Sequence, residues 1–276
     1  MLQTPAIVFC DVDGLIPVRG KMPLGFDEFS AALEHAAIPI VWVTDRTRLQ
    51  IDDPRRNLGH NHPFIAEGGC GVYLPEDYFH LRPPKTVRLG RFTCLPIAEP
   101  QPAAAETLEE LSSETGIAVV PLRSLSPREL EHNSGLSAQQ AELMRHRDFD
   151  ELFFFAGVAE ADVRRFIEHS ANRPWQFRQR GVLWSLAVGA NLKQCMRELS
   201  KLYARALRSQ PKIVGIACEG SVSQLLQACD RGFLLVNCAA DLSKITREPL
   251  PARFREIGLG SADVWERLAE ALIGKS

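Results

Sequence analysis

The 276-residue chain has no apolar run of 18 residues, so nothing in it reads as a membrane-spanning helix. Its opening, MLQTPAIVF, carries neither the basic flank nor the cleavage pattern of a signal peptide, and the expected location is the cytoplasm. The seven cysteines, at 10, 70, 94, 195, 218, 229 and 238, form no CxxC pair. Their scatter and odd number argue against both a zinc knuckle and a disulfide framework, and most read as small core hydrophobes. Charge of one sign is lacking too. With 32 Lys+Arg against 34 Asp+Glu the balance is −2, which gives no general electrostatic ground for binding nucleic acid or an anionic membrane. Neither an internal repeat nor a low-complexity tract appears. What remains, at 45% apolar and 24% charged residues, is an ordinary soluble globular chain, long enough for one large core or a core plus an inserted unit.

The apolar run Ala6 to Cys10 has the continuity of a strand buried on both faces. Phe26 to Ala37 follows at helical spacing, with Phe26, Phe29, Leu33 and Ala36 on one side. Ile38 to Val43 is the next β-branched run. Strand, helix and strand within about 40 residues predict a βαβ unit and a parallel sheet. Pro63–Ala66 and Gly71–Leu74 read as short strands around a Glu67-Gly68-Gly69 turn. The character changes at Arg82-Pro83-Pro84, a hinge by composition. Beyond it, helical spacing covers Ala103–Thr115 and Ala138–Arg147, and strand-like runs cover Ile117–Val120, Leu152–Ala156 and Val182–Val188. Ser126-Pro127-Arg128-Glu129 has the form of a helix start. The parallel pattern resumes with an amphipathic Leu192–Leu207, strands at Lys212–Ile216 and Gly232–Val236, a helix over Val222–Cys229, and a closing helix over Ala262–Ile273 with Val264, Leu268 and Leu272 on one face. The predicted fold is α/β: a Rossmann-like parallel-sheet core in two segments, 1–82 and 190–276, with an inserted α+β cap at 83–189.

Open parallel sheets bind ligands at the carboxyl ends of their strands. Asp11 and Asp13 end the first strand here, Thr44 ends the second, and Lys193 opens the helix that re-enters the core. An aspartate serves as a nucleophile toward phosphorus, and a second acid two residues on can protonate the leaving oxygen and then activate water. A hydroxyl and an ammonium suit phosphate oxygens, and Gly14 frees the backbone to approach them. Alone, a DxDG is most often a turn; the order of acids, hydroxyl and lysine on a βαβ frame gives it meaning.

On these residues the chain resembles the haloacid dehalogenase superfamily of phosphatases, and within it the mannosyl-3-phosphoglycerate phosphatases. DVDG at 11–14 stands for the family's DxDG, and VTDRT at 43–47 for its VTSKT. PFIAEGG at 63–69 is similar to PFIxENG, and LPEDYF at 74–79 to the xPxxYF that follows it. SGLSAQQAELMRHRDFDELF at 134–153 resembles the subfamily's TGL…A…RxYDEPF, and GANLKQ at 189–194 sits at the family lysine. The resemblance implies Asp11 as nucleophile, Asp13 as general acid/base, and Thr44, Lys193 and Gly14 around the phosphoryl group. It implies magnesium held by Asp11, the backbone carbonyl of Asp13 and an acid of a fourth motif, and a cap closing over a small phosphorylated metabolite. Arg147 is then a candidate for the substrate's anionic end, the alternative being a pair with Asp148 or Asp150; Glu67 and Gly69 are further substrate candidates.

The fourth motif departs from the pattern. Where the family has GxGDSxND, this chain reads Gly215-Ile216-Ala217-Cys218-Glu219-Gly220-Ser221-Val222, with Cys218 and Val222 at the two aspartate positions. Leu15 replaces a threonine, and Gly68 the asparagine of ENG. Glu219 is a candidate substitute metal acid, or else a first-turn residue favoured by the helix dipole. Three readings stay open. The first is a phosphatase of mannosyl- or glucosyl-3-phosphoglycerate, or of sucrose- or trehalose-phosphate type, with weak magnesium binding. The second is a pseudophosphatase that binds a sugar phosphate or a protein partner. The third is a thiol protein acting through Cys218 as a thiolate lowered in pKa at a helix start.

Overall fold

Ile7, Val8, Phe9 and Cys10 have no solvent exposure, and they divide between two apolar clusters on opposite faces of one sheet. That division is the reason the run is continuous rather than alternating. The computed structural model describes residues 5–16, 23–80, 83–218, 222–236, 252–259 and 263–274. In chain order the described elements are β1 (Ala6–Asp11), α1 (Phe26–His35), β2 (Ile40–Val43), α2 (Asp52–Asn57), β3 (Phe64–Ala66), β4 (Gly71–Leu74), β5 (Val87–Leu89) and β6 (Phe92–Pro96). Next come α3 (Gln101–Thr115), β7 (Val119–Pro121), α4 (Pro127–Ser134), α5 (Ala138–Arg145), β8 (Glu151–Phe155), α6 (Glu160–His169), β9 (Trp175–Arg180) and β10 (Leu183–Val188). The chain closes with α7 (Leu192–Leu207), β11 (Lys212–Cys218), α8 (Val222–Gln227), β12 (Arg231–Val236), β13 (Phe254–Gly258) and α9 (Val264–Ile273).

The large sheet runs β13-β12-β11-β1-β2-β3-β4-β6-β5. It is parallel from β13 to β3 and antiparallel beyond. Chain order reverses at β1, which pairs β2 on one side and β11 on the other, so the switch point lies at the end of β1. The second sheet, β7-β8-β10-β9, is antiparallel. Phe153 of β8 faces a cluster with Leu108 and Leu111 of α3 and Phe166 of α6, while Leu152 and Phe154 face one with Leu130 of α4 and Met144 of α5. This is the period-2 alternation of a sheet covered on both sides.

The α/β architecture matches the expectation, while several elements differ from it, α2, β5, β6 and β13 among them having no counterpart in the sequence reading. The change of sheet falls after Pro96 and not at 82–83, because β5 and β6 pair back onto β4. Ala36 is exposed just beyond α1, whose buried residues are Phe26, Phe29 and Leu33. The strand over Trp175–Arg180 and the helix over Glu160–His169 had no counterpart in the sequence reading. Among the described residues no helix is long and apolar enough to cross a membrane.

Candidate functional site

Asp11 is the last residue of β1, 7% exposed, and its Oδ1 accepts the Asp13 amide at 3.0 Å. That contact bends the chain out of the strand. The amides of Leu15 and Ile16 then close on the Val12 carbonyl at 3.1 and 2.7 Å. Asp13 is gripped from the end of β2: Thr44 Oγ1 donates to its Oδ1 at 2.5 Å, the Asp45 amide donates to Oδ2 at 2.7 Å, and Arg46 Nε lies 3.4 Å from Oδ1. Asp11, Asp13 and Thr44 are therefore brought together at the switch point. Lys193, in the first turn of α7, is exposed and its Nζ hydrogen-bonds Gln227 Oε1 of α8 at 3.0 Å.

Gly14 has a second purpose. A Cβ there would stand 2.5 Å from Cys218 Cβ and 2.9 Å from its Sγ, so glycine is what lets the end of β11 close against the acid turn. Burial above all, and then the charges of Asp11 and Asp13, push the Cys218 thiol up to about 12. That direction is opposite to the lowered pKa that a thiolate reading of Cys218 needs, and it counts against an activated nucleophile there.

This bears on magnesium. A protonated sulfur is a poor ligand for a hard cation. Among the described residues no three His, Cys, Asp or Glu side chains are placed to hold a metal ion. Glu219 lies outside the described residues, as do Gly220, Ser221 and the side chain of Val222. The described residues do not make a complete magnesium site, since Asp11 is the one carboxylate with the position expected of a ligand.

The turn after β3 carries two of the expected substrate residues, and the contacts of both are with the protein's own backbone. Glu67 is fully buried, and its carboxylate accepts the amides of Asp148, Phe149 and Asp150 at 2.9, 2.9 and 3.1 Å. Burial raises its pKa, with the Asp150 charge adding; Arg147 and the amides oppose. Gly69 has φ +97°, and a Cβ on it would lie 2.6 Å from the backbone of Leu192. The start of α7 is pinned there, with the Asn191 amide donating to the Gly69 carbonyl at 3.0 Å. Both residues are braces.

For Arg147 the structure shows the pairing with Asp150 that the sequence left open. Its guanidinium pairs with both oxygens of Asp150, reaches the Asp45 carbonyl at 2.6 Å, and is almost wholly buried. Its neighbours dock in the same way. Arg48 Nε and the Tyr73 hydroxyl each donate to Asp148 Oδ2 at 2.8 Å, and the Phe149 ring joins the core cluster under the large sheet. The stretch 147–150 is where the cap is fastened to the core.

Between the two sheets lies a cavity of about 130 Å³, bordered by Asp45, Arg46, Arg147, Arg178, Trp184 and Ser185. It begins at the residues that hold Asp13 and ends on the cap strands. Arg46, Arg178 and Trp184 were assigned no role in the sequence reading. Arg46 stood inside the VTDRT motif and its signal was available. Arg178 sits on an unforeseen strand, and its Nη1 donates to the Glu67 carbonyl at 3.1 Å. A Cβ at residue 68 would fall 1.8 Å from that same nitrogen, so the glycine in the asparagine position makes room for it.

No model of a known protein family matches the chain. Among curated proteins it is 23% identical over 235 residues to a glucosyl-3-phosphoglycerate/mannosyl-3-phosphoglycerate phosphatase of Methanococcoides burtonii, covering 83% of this chain and 84% of that one. It is 26% identical over 149 residues to a mannosyl-3-phosphoglycerate phosphatase of Pyrococcus furiosus, covering 54% and 60%. Among solved structures, a phosphatase of the haloalkanoate (HAD) superfamily from Bacteroides thetaiotaomicron aligns with TM-score 0.65 at 16% identity, over 98% of this chain and 96% of that one. A haloacid dehalogenase-like hydrolase from B. subtilis aligns with TM-score 0.61 at 14% identity, over 98% and 99%. The chain has the haloacid dehalogenase-like fold with a cap, and it is similar to the mannosyl-3-phosphoglycerate phosphatases.

Proposed function

We propose that the protein is a phosphatase of a small sugar-linked phosphate monoester, with mannosyl- or glucosyl-3-phosphoglycerate as the leading substrates. The observation that carries this reading is the grouping of Asp11, Asp13 and Thr44 at the switch point, beside a cap-covered cavity with three arginines on its wall. The named activity of the curated relatives supports it.

In this reading an Asp11 carboxylate oxygen attacks phosphorus, the P–O ester bond breaks, and Asp13 gives its proton to the departing sugar-side oxygen. Water then attacks phosphorus of the aspartyl phosphate with Asp13 taking its proton, the Asp11 O–P bond breaks, the Asp11 carboxylate is restored and inorganic phosphate leaves. Thr44 and Lys193 would hold phosphoryl oxygens, Lys193 after leaving Gln227. The cap walls exclude bulk water from the intermediate. Arg178 is the better candidate for a second anionic group of the substrate, since Arg147 is committed to Asp150. Magnesium, which phosphatases of this superfamily generally use, would neutralise phosphoryl charge here. With Asp11 as its carboxylate among the described residues it would bind weakly. The test is phosphate release from a panel of sugar-linked phosphates. Activity on a phosphoglycerate conjugate that Asp11→Asn abolishes supports the assignment, and no release above the Asp11→Asn background overturns it.

Cys218 favours a second reading, a decayed catalyst that retains ligand binding. Binding of the same substrates by the native chain without turnover would establish it.

A further inference from the structure

Arg55 is an anomaly on the far edge of the large sheet. It is 2% exposed, and among the described residues no carboxylate pairs with it. Its Nε donates to His60 Nδ1 at 3.1 Å and its Nη2 to the His62 carbonyl at 2.7 Å, both neutral partners. The guanidinium carbon stands 4.3 Å from the ring centroid of Phe64 and 5.2 Å from that of Phe92. The acids nearby are already engaged. Asp52 Oδ1 pairs with Arg91 and its Oδ2 lies 3.7 Å from Arg56, Asp53 pairs with Arg56, and Glu76 pairs with Arg88 at 2.8 Å. One positive charge in this corner is thus left without a partner, and a buried charge in that state is costly. Burial, and next the charge of Arg91, lower the Arg55 pKa to about 10.

Arg55 borders a cavity of about 330 Å³ together with Arg56, Asn61, Glu76, Arg91 and Phe92. The cavity is remote from the catalytic residues. His60 Nε2 hydrogen-bonds the carbonyl of Ile40, the first residue of β2, whereas Thr44 lies just past its last. Pro75 follows the end of β4, which runs antiparallel to β3 and so ends at the same edge.

We propose that this cavity is a second ligand site that takes a small oxyanion, a phosphoryl or carboxylate group, against Arg55. A guanidinium offers such an anion N–H donors, and the placing of Arg55 over the Phe64 ring, with its Nε and Nη2 already hydrogen-bonded, fixes its plane beforehand. The His60 ring, stacked on Trp42 with centroids 4.3 Å apart, holds Nε from behind and leaves Nη1 for the ligand. The site is independent of the hydrolytic reading and stands or falls separately.

The test is titration of the whole chain with inorganic phosphate and, in parallel, with acetate, followed through the Arg55 Nε–H resonance. Wild type should show a saturable shift, and the stronger of the two responses names the oxyanion the site takes. Asn61→Asp, which sets a resident carboxylate on the cavity wall, should weaken phosphate binding at least tenfold at this resonance. Arg55→Met should lose the phosphate-dependent rise in melting temperature assigned to this site while retaining hydrolysis. Asp11→Asn should leave the Arg55 response unchanged, so failure of the catalytic assignment is distinguishable. An Arg55 resonance indifferent to both anions, or a phosphate response that Asn61→Asp does not weaken, overturns the proposal.

Discussion

The proposed hydrolysis turns on Cys218, whose thiol stands beside Asp11 and Asp13 where, in that reading, a further oxygen ligand would serve a cation. A carboxylate about 4 Å from a divalent ion is worth several kcal/mol at an effective dielectric near 20. Cys218→Asp is therefore expected to tighten magnesium at least tenfold and to raise phosphate release, read by calorimetric titration and by turnover; an unchanged magnesium affinity would show that the thiol is not the defect. Gly69 presents a different constraint. With φ +97° and the Leu192 backbone 2.6 Å from any added Cβ, Gly69→Ala should cost about 2–4 kcal/mol, measured by chemical denaturation. At this scale the sequence made legible that Asp11, Asp13 and Thr44 meet at the strand ends. It did not reveal the bracing contacts of Glu67 and Gly69, and for Arg147 it left the Asp150 pair open as one of two readings. A carboxylate that binds backbone amides and one that binds a ligand are the same letter, and partners about 80 residues away decide between them.

Elements were legible where one period dominates. β1, β2 and α7 were readable because the first two are buried on both faces and the third has a buried stripe through Cys195, Met196, Leu199 and Tyr203. β9 was missed because WQFRQR alternates at an edge of the small sheet and carries two arginines, so it reads as a loop. α6 was missed because Phe166 is its one buried residue. The start of α4 was visible as Ser126-Pro127 and is a complete capping box, with the Ser126 hydroxyl accepting the Glu129 amide and the Glu129 carboxylate accepting the Ser126 amide at 2.7 Å. Ser126→Ala should cost about 1 kcal/mol, visible as a small drop in the denaturation midpoint with activity unaltered. A larger loss would mean that α4 supports the cap cavity and is more than a covering helix.

Across the whole molecule, Glu151 couples protonation to stability. It is buried at the start of β8, hydrogen-bonded by Gln101 and 3.4 Å from Arg123 Nε, and burial pushes its pKa up to about 7. The native chain holds a proton there that the unfolded chain, titrating near 4.5, has released, so this contribution is present below about pH 4.5 and is lost as pH rises toward 7. Wild type should lose melting temperature through this group between pH 5 and 8, and Glu151→Gln should flatten that part of the profile; equal slopes in the two proteins would refute it. The overall plan of core and insert was readable from the alternation of strands and helices. The join between them was not, because β5 and β6 look like the beginning of the insert and pair as the edge of the core. The stretch 147–150 is fastened by Glu67, Arg48, Tyr73 and the Asp45 carbonyl all at once. A roof riveted at so many points does not lift freely on a flexible strap. Guests should enter by a slow, concerted unbuttoning of that seam, which would make throughput sensitive to solvent viscosity and would set the pace of the molecule by how often it opens rather than by how fast bonds break.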